Sequence, residues 1–463
     1  MGRTLTRRAF CAGTAGLAGL AAVPLRAQVP SALTARVATA QIAPAGYAPT
    51  EVWGYDGLLP GPVLRVPQGG RLTRRLVNEL PVPTSIHWHG IRIDNAMDGV
   101  AGLTQDPVPP GESFDYEFTV PDAGTYWYHA HTNSMEQVAR GLAGALIVEE
   151  ATPPEVDRDE VIFLDDWLLN PEDAQFIEPF AHPMSLSHAG RTGNLLGANG
   201  TYDPVIGTRR NERLRLRLIN GANARIFVLR LHGLTGWTVA LDGMPLAQPE
   251  AVEGELILAP AQRIDLIVDV TAGAGEEAGL LHLGDDDSWQ VFVRMPVEGS
   301  AAATARGAPA ALPPNPRMEV PGLDTATRLE MTMEGGAMAG MASGRFEGQE
   351  MDFRSLMERG QFWALSKQVG RSDTPFARLK LGETVRLTLT NATVFPHAMH
   401  LHGMHFREVR QDGSLGPLRD TILSLPDVPL EIAFVADNPG KWLFHCHMLA
   451  HAAAGMTTWI EVA

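Results

Sequence analysis

Cysteine is nearly absent from this 463-residue chain: only Cys11 and Cys446 occur, and the first lies in the opening dozen residues. A disulfide framework is therefore excluded as the source of stability. Positive charge is also scarce. With 37 Lys and Arg against 53 Asp and Glu, the formal net charge is −16, and no basic surface exists to meet a phosphate backbone, which excludes nucleic acid as a partner. Aromatic residues reach only 7% and charged residues 19%, beside 45% hydrophobic ones, a soluble globular balance rather than a disordered or membrane-spanning one. Sustained 3.6-residue periodicity is missing, which removes the helical classes. What is plentiful is glycine (47) and proline (34), a composition of many turns and short strands that predicts an all-β fold. The length calls for two or three domains.

The first residues read as an address. Thr6-Arg7-Arg8-Ala9-Phe10 precedes a mild apolar stretch from Cys11 to Leu25 that closes at Leu25-Arg26-Ala27. Paired arginines ahead of such a stretch match a twin-arginine export signal over residues 1–27, so the twin-arginine machinery is a partner in transit and the periplasm the expected destination. The stretch is too short, too weakly apolar and too interrupted by Pro24 for stable membrane insertion. Cys11 leaves with the signal. Cys446 is then the sole thiol of an exported protein, a liability in an oxidising compartment unless a metal such as copper occupies it.

The chain also repeats itself. GRLTRRLVNELPVPTSIHWHG (Gly70 to Gly90) and GETVRLTLTNATVFPHAMHLHG (Gly382 to Gly403) align on Asn78 and Asn391, with alternating apolar positions and a His-x-His-Gly at the same distance. The middle of the chain offers NERLRLRLINGANARIFVLRLHG, with Asn220, the same alternation and a lone His232. PDAGTYWYHAH (Pro121 to His131) likewise matches DNPGKWLFHCH (Asp437 to His447). Period-two alternation marks half-buried strands. Three sandwich-like β units are expected, over residues 31–150, 155–298 and 360–463, with a linker and Met-rich segment over 299–359.

Ten of the 15 histidines fall in four clusters: His87 and His89; His129 and His131; His397, His400 and His402; His445, His447 and His451. Residues i and i+2 of a strand point to one face, so each His-x-His presents two imidazoles side by side. Eight nitrogens, from His87, His89, His129, His131, His400, His402, His445 and His447, converge on one multinuclear site if units one and three face each other. Borderline transition metals suit imidazole. Cys446 sits between His445 and His447 and points to the opposite face, where His397, His451 and Met456 complete the donor set of a blue-copper electron-transfer centre. The middle unit has Arg230 and His232 where the others have His pairs, and reads as a spacer without copper. His182, His188, His232, His282 and His405 read as structural.

On these motifs the sequence resembles the three-domain multicopper oxidases, laccase-like in layout and built of Greek-key cupredoxin sandwiches. HWHG (His87–Gly90), HAH (His129–His131), HAMHLHG (His397–Gly403) and HCHMLAHAAAGM (His445–Met456) are its versions of the family's four copper-binding strings. The resemblance implies four copper ions. His397, Cys446, His451 and axial Met456 hold the type 1 copper; His87 and His400 the type 2; His89, His129, His131, His402, His445 and His447 the type 3 pair. It further implies one-electron oxidation of phenols or aromatic amines at the type 1 site, with O2 reduced to water at the three-copper cluster. A methionine as axial ligand implies a low-to-middling potential.

The resemblance also implies carboxylates that handle protons. Asp98 matches the one near the cluster, though Asp98-Gly99 is equally a plain turn signal. Asp420 stands where the family has a substrate-side carboxylate, while Ala450 and Ala452 flank His451 where another is common. Met331, Met333, Met338, Met341, Met351 and Met357 lie in a Gly-rich, weakly patterned stretch, and thioethers select Cu(I). Similar stretches in periplasmic copper-efflux oxidases make this a candidate Cu(I) substrate site and a cuprous oxidase for copper tolerance the alternative function. A copper-binding protein without turnover would be expected to have lost ligands, and a copper nitrite reductase lacks this set of paired histidines.

Overall fold

The structure, a computed structural model, describes residues 31–338 and 340–463. The expected export signal lies outside them. The fold is all-β, 49% strand and 6% helix.

Each of three successive units is a pair of sheets. In the first, strands Thr50–Tyr55, Ser31–Ala40, Arg71–Asn78 and Ser113–Thr119 form one sheet, and Gly61–Pro67, Ala143–Glu149, Gly124–Ala130 and Ile86–His89 the other. The second and third units each pair a six-stranded sheet with a five-stranded one. All three open alike: the first strand of the unit runs parallel to the strand that ends in the repeated asparagine. Ser31–Ala40 pairs with Arg71–Asn78, Arg158–Trp167 with Arg213–Asn220, and Thr327–Gly335 with Glu383–Asn391.

The asparagine explains the repeat. Asn78, Asn220 and Asn391 are buried, and each Nδ2 donates to two carbonyls: of Val82 and Val108, of Arg225 and Leu258, and of Phe395 and Ser424. Each Oδ1 accepts the backbone N–H two residues on, from Leu80, Ala222 or Thr393. Buried carbonyls at a sheet-to-sheet crossing must be satisfied, and one side chain does this while fixing where the next strand begins. In the outer units that next strand carries the histidines.

The third unit begins well before residue 360, which corrects the expected boundary. Thr327–Gly335 lies within its six-stranded sheet, and Met331 and Met333 are fully buried in its core. The spacing Leu329, Met331, Met333 was a period-two strand pattern. Met341 is buried against Leu356, Ala364 and Val369, with Met351 packed beside it. The remaining two thioethers, Met338 and Met357, are 73% and 40% exposed. The six methionines therefore do not form one site: half of them fill the interior, as unbranched thioethers commonly do.

Units one and three share one continuous apolar core, whereas the middle unit has its own. The Pro-rich linker is fastened to unit one: Asn315 donates to the Ala123 carbonyl and accepts its N–H, and Arg92 donates to the carbonyls of Pro316 and Arg317.

Candidate metal centres

Strand pairing sets the histidines opposite one another. Ile86–His89 lies antiparallel to Gly124–Ala130 with His87 across from His129. His397–Leu401 lies antiparallel to Gly440–Cys446 with His400 across from His445 and Met399 from Cys446. The outer units then meet on this surface: the rings of His87 and His402 stack with centroids 3.9 Å apart, and those of His89 and His400 at 3.8 Å.

Donor atoms gather in distinct sets, each within 4.8 Å. One is His89, His129 and His447; another is His131, His402 and His445; a third is His87 and His400 with His89 in reach. A separate set is His397, Cys446 and His451. His445 and His447 thus part to two different sets while Cys446 between them serves the separate one, as strand alternation requires.

Oxygen partners reveal the tautomers. His402 Nδ1 lies 3.0 Å from Asp98 Oδ2, and His445 Nδ1 lies 2.9 Å from the Cys446 carbonyl. Carboxylates and carbonyls accept, so both Nδ1 atoms carry the proton. The two Nε2 atoms nevertheless face each other at 3.1 Å. Bare lone pairs at that distance repel unless a cation lies between them. His129 matches on one side: its Nδ1 donates to the Ala130 carbonyl, and its bare Nε2 lies 3.4 Å from His447 Nε2, while His447 Nδ1 has no oxygen partner among the described residues. His87 and His400 donate through Nδ1 to the carbonyls of Asp98 and Asp420, and their Nε2 atoms have no hydrogen-bond partner among the described residues. His89 is turned the other way, with Nε2 held 3.1 Å from Asp420 Oδ1 and Nδ1 bare.

Burial disfavours a proton as that cation. Burial pushes His445 down to about 3 and holds His129, His131, His402 and His447 well below the ordinary imidazole range, with repulsion from neighbouring imidazoles adding to it. Neutral, buried, convergent imidazoles fit a transition metal, and copper is among those that imidazole suits.

The separate site passes the same test. His451 Nε2 donates to the His188 carbonyl at 2.6 Å. His397 Nε2 lies 2.8 Å from Thr393 Oγ1, a hydroxyl whose own hydrogen has Asn391 Oδ1 as acceptor at 2.8 Å. Both Nδ1 atoms are left bare, 3.0 Å apart, with Cys446 Sγ 3.7 Å from each. Burial pushes the Cys446 thiol up to about 12, so its thiolate forms only with a cation beside it. Met456 is fully buried, its carbonyl accepting from Cys446 N–H and its N–H donating to His451.

The carboxylates flank the cluster. Asp98 is fully buried, beside the cluster and at a turn. Its carboxylate receives His402 and its carbonyl receives His87, while Gly99 at φ +82° makes a tight turn against Ile86. Asp420 is not on the substrate side as expected: it precedes Thr421–Ser424, whose pairing sets Thr421 across from His400, so it is buried beside the cluster. Burial alone would raise its pKa, but Arg263 and His89 hold it well below the usual carboxylate range.

Three features had no sequence signal. Arg263 and Thr421 reach Asp420 from a core strand and from its own chain neighbour. The backbone of His188, a histidine read as structural, orients His451. No helix among the described residues is long and apolar enough to cross a membrane.

Comparisons with known proteins agree with this geometry. Two multicopper oxidase family models match residues 36–153 and 347–463. Multicopper oxidase MmcO of Mycobacterium tuberculosis is 30% identical, over 88% of this chain and 82% of its own length. Among solved structures, a multi-copper oxidase from Pseudomonas thermotolerans superposes with a TM-score of 0.81 at 34% identity, covering 94% of this chain and 99% of that one. Lac15 from a marine microbial metagenome gives 0.75 at 42% identity, over 94% and 100%.

Proposed function

The chain belongs to the multicopper oxidase family, and from that membership we propose that it oxidises phenols or aromatic amines one electron at a time and reduces O2 to water. The observation that carries the metal assignment is the pair of bare Nε2 atoms of His402 and His445 facing each other at 3.1 Å. In this reading His397, Cys446, His451 and Met456 hold the type 1 copper, and His87 and His400 the type 2. The type 3 pair is held by His89, His129 and His447 on one side and His131, His402 and His445 on the other. Bound there, the four coppers supply a one-electron acceptor and a site at which O2 takes up four electrons.

The chain's own groups do the rest. Cys446 is joined by single peptide bonds to His445 and His447, so the electron route between the two sites is covalent and short. The His188 carbonyl keeps the His451 proton on Nε2 and its Nδ1 free. Asp98 does the converse for His402. Burial of His402 and His445 keeps water from competing for their lone pairs, His131 of the same set being only half-buried.

The phenol reading is favoured because Met331, Met333 and Met341 are interior. The cuprous oxidase reading keeps one specific support. Ala337 N–H donates to the Ser187 carbonyl, bringing the exposed Met338 towards the segment that carries the exposed Met184, next to His188. Relatives carry both kinds of name, Laccase-7 of Oryza sativa at 28% identity and Copper resistance protein A of Escherichia coli at 26%. Steady-state kinetics of Met184→Leu/Met338→Leu with a phenol and with Cu(I) separates them: unchanged rates with both substrates uphold the phenol reading, and selective loss with Cu(I) overturns it. For the metal assignment, Cys446→Ser must abolish blue absorption and turnover together. Export is read from Arg7 and Arg8; their replacement by Lys should retain the protein in the cytoplasm, which cell fractionation checks.

A further inference from the structure

We propose that Arg263, in the unit without metal ligands, is a positioning residue for the three-copper cluster: it fixes the carboxylate that turns His89 to its metal. The proposal rests on the metal assignment above and adds a part to it from outside the ligand strands.

Arg263 is fully buried and all five of its side-chain N–H bonds are used. Nη1 donates to Asp420 Oδ1 at 2.9 Å and to the Ala261 carbonyl at 3.0 Å. Nη2 donates to Asp420 Oδ2 at 2.5 Å and to the Asp242 carbonyl at 2.9 Å. Nε donates to the Thr125 carbonyl at 3.2 Å. One guanidinium therefore bridges unit one (Thr125), unit two (Ala261, Asp242) and unit three (Asp420). Its planar fork matches a carboxylate in a way no other side chain does.

Asp420, so clamped, is an acceptor to every neighbour. Its Oδ1 also receives Thr421 Oγ1 at 2.8 Å and His89 Nε2 at 3.1 Å, and its carbonyl receives His400 Nδ1 at 2.9 Å. His89 Nε2 must then donate, which leaves Nδ1 for the metal. The other cluster imidazoles whose partners are oxygens have that arrangement inverted, each donating through Nδ1 to a carbonyl or carboxylate of the outer units. His89 alone among these is oriented by a carboxylate that an arginine of the middle unit holds.

The Cys446 site provides the internal control, because its middle-unit support is the His188 carbonyl and not Arg263. Outer groups that orient metal-bound histidines are worth roughly 10- to 100-fold in metal affinity. Copper-loaded wild type, Arg263→Met, Arg263→Lys and Arg215→Met are compared by copper per chain, blue absorption and the electron paramagnetic resonance of the cluster. Arg215 is another buried arginine of the same sheet, paired with Asp265 and Glu150. Arg263→Met should lose cluster copper, with 10- to 100-fold weaker retention against a chelator, while blue absorption per chain persists. Arg263→Lys should recover part of it, and Arg215→Met should retain all four coppers. Full cluster copper in Arg263→Met overturns the proposal. So does parallel loss of blue absorption and cluster copper in both Arg263 variants, which would mark the residue as a support of the fold alone. A wild-type protein without four coppers or blue colour would instead sink the metal assignment beneath it.

Discussion

Replacing Asn391 with alanine tests whether the repeated asparagine is only a support of the fold or also governs the thiolate site. The side chain is buried. Its Nδ2 donates to Phe395 and Ser424 carbonyls at 2.8 and 3.3 Å, and its Oδ1 accepts from Thr393 N–H and Oγ1 at 3.0 and 2.8 Å. At a net 0.5–1.5 kcal/mol for a typical hydrogen bond, with buried groups left unpaired, Asn391→Ala should cost about 2–4 kcal/mol. For a unit of this size that lowers Tm by on the order of 10 °C. Asn220→Ala removes three corresponding bonds from the middle unit and should cost a similar amount. The two differ in what lies next. Thr393 Oγ1 is the partner of His397 Nε2 at 2.8 Å; without Asn391 its hydrogen keeps only the longer Phe395 carbonyl contact at 3.1 Å and can turn instead towards that nitrogen, pushing the imidazole proton to the metal-facing Nδ1. Scanning calorimetry and visible spectra of the copper-loaded variants should show both destabilised, with blue absorption per chain reduced at least about twofold in Asn391→Ala only. Equal spectral loss in both variants, or none in either, would refute the chain from Asn391 through Thr393 to His397.

Other outcomes follow from single contacts. Gly99→Ala would put a Cβ 1.7 Å from the Ile86 carbonyl at a φ of +82°, so the His87 strand must shift; copper analysis should find the cluster depleted, and full loading would contradict the packing. Met333→Ala, at a position with no exposure, should destabilise by about 2–5 kcal/mol and Met333→Leu by less than about 1.5, measured by denaturant unfolding, with Cu(I) kinetics unaffected by the leucine. Stability of the copper-free protein should fall with acid. Burial pushes His405 and His445 down to about 3 and His451 to about 4, so below the ordinary imidazole value the unfolded chain binds protons that the folded one refuses. That contribution is whole above pH ~6.5 and is lost progressively towards pH ~3. Thermal melts of the apoprotein that are flat across this window would exclude it.

The copper chemistry was legible in the sequence because it obeys local rules. Strand alternation alone puts His445 and His447 on one face and Cys446 on the other, and the structure keeps that arrangement. Contacts between residues far apart in the chain that no repeat or motif marks were not legible. Met331 and Met333 alternate with period two, but thioethers are equally Cu(I) donors, and the strand they belong to lies some fifty residues before the strand it pairs with. Asp420 could be seen beside Thr421 but not beside His89, which is 331 positions away. Arg263 sits in RIDLIVDV, a plain core strand by pattern, and nothing local says that its guanidinium crosses into two other units.

That blind spot bears on what the middle unit is for. It supplies no member of any donor set among the described residues, so a sequence reading makes it a spacer. Yet it touches both sites. Its Asn223 donates to the Met135 carbonyl in the helix that follows His131, and its carbonyl receives Leu449 N–H at the start of the helix that carries His451. Its His188 carbonyl orients His451 and its Arg263 clamps Asp420. A cluster shared between two units is only as well defined as their relative placement, and imidazoles that must converge on one ion tolerate errors of a few tenths of an ångström. The outer units do bond each other directly, through Asn95 and the Lys441 carbonyl, Arg371 and the Ala101 and Gly102 carbonyls, and Asp98 and His402, while the apolar packing between them is non-directional. Directional bonds from a third body, anchored at the helix pair, at His451 and at Asp420, add to those constraints. The copper-free unit is therefore better described as a third support of the shared site than as a spacer.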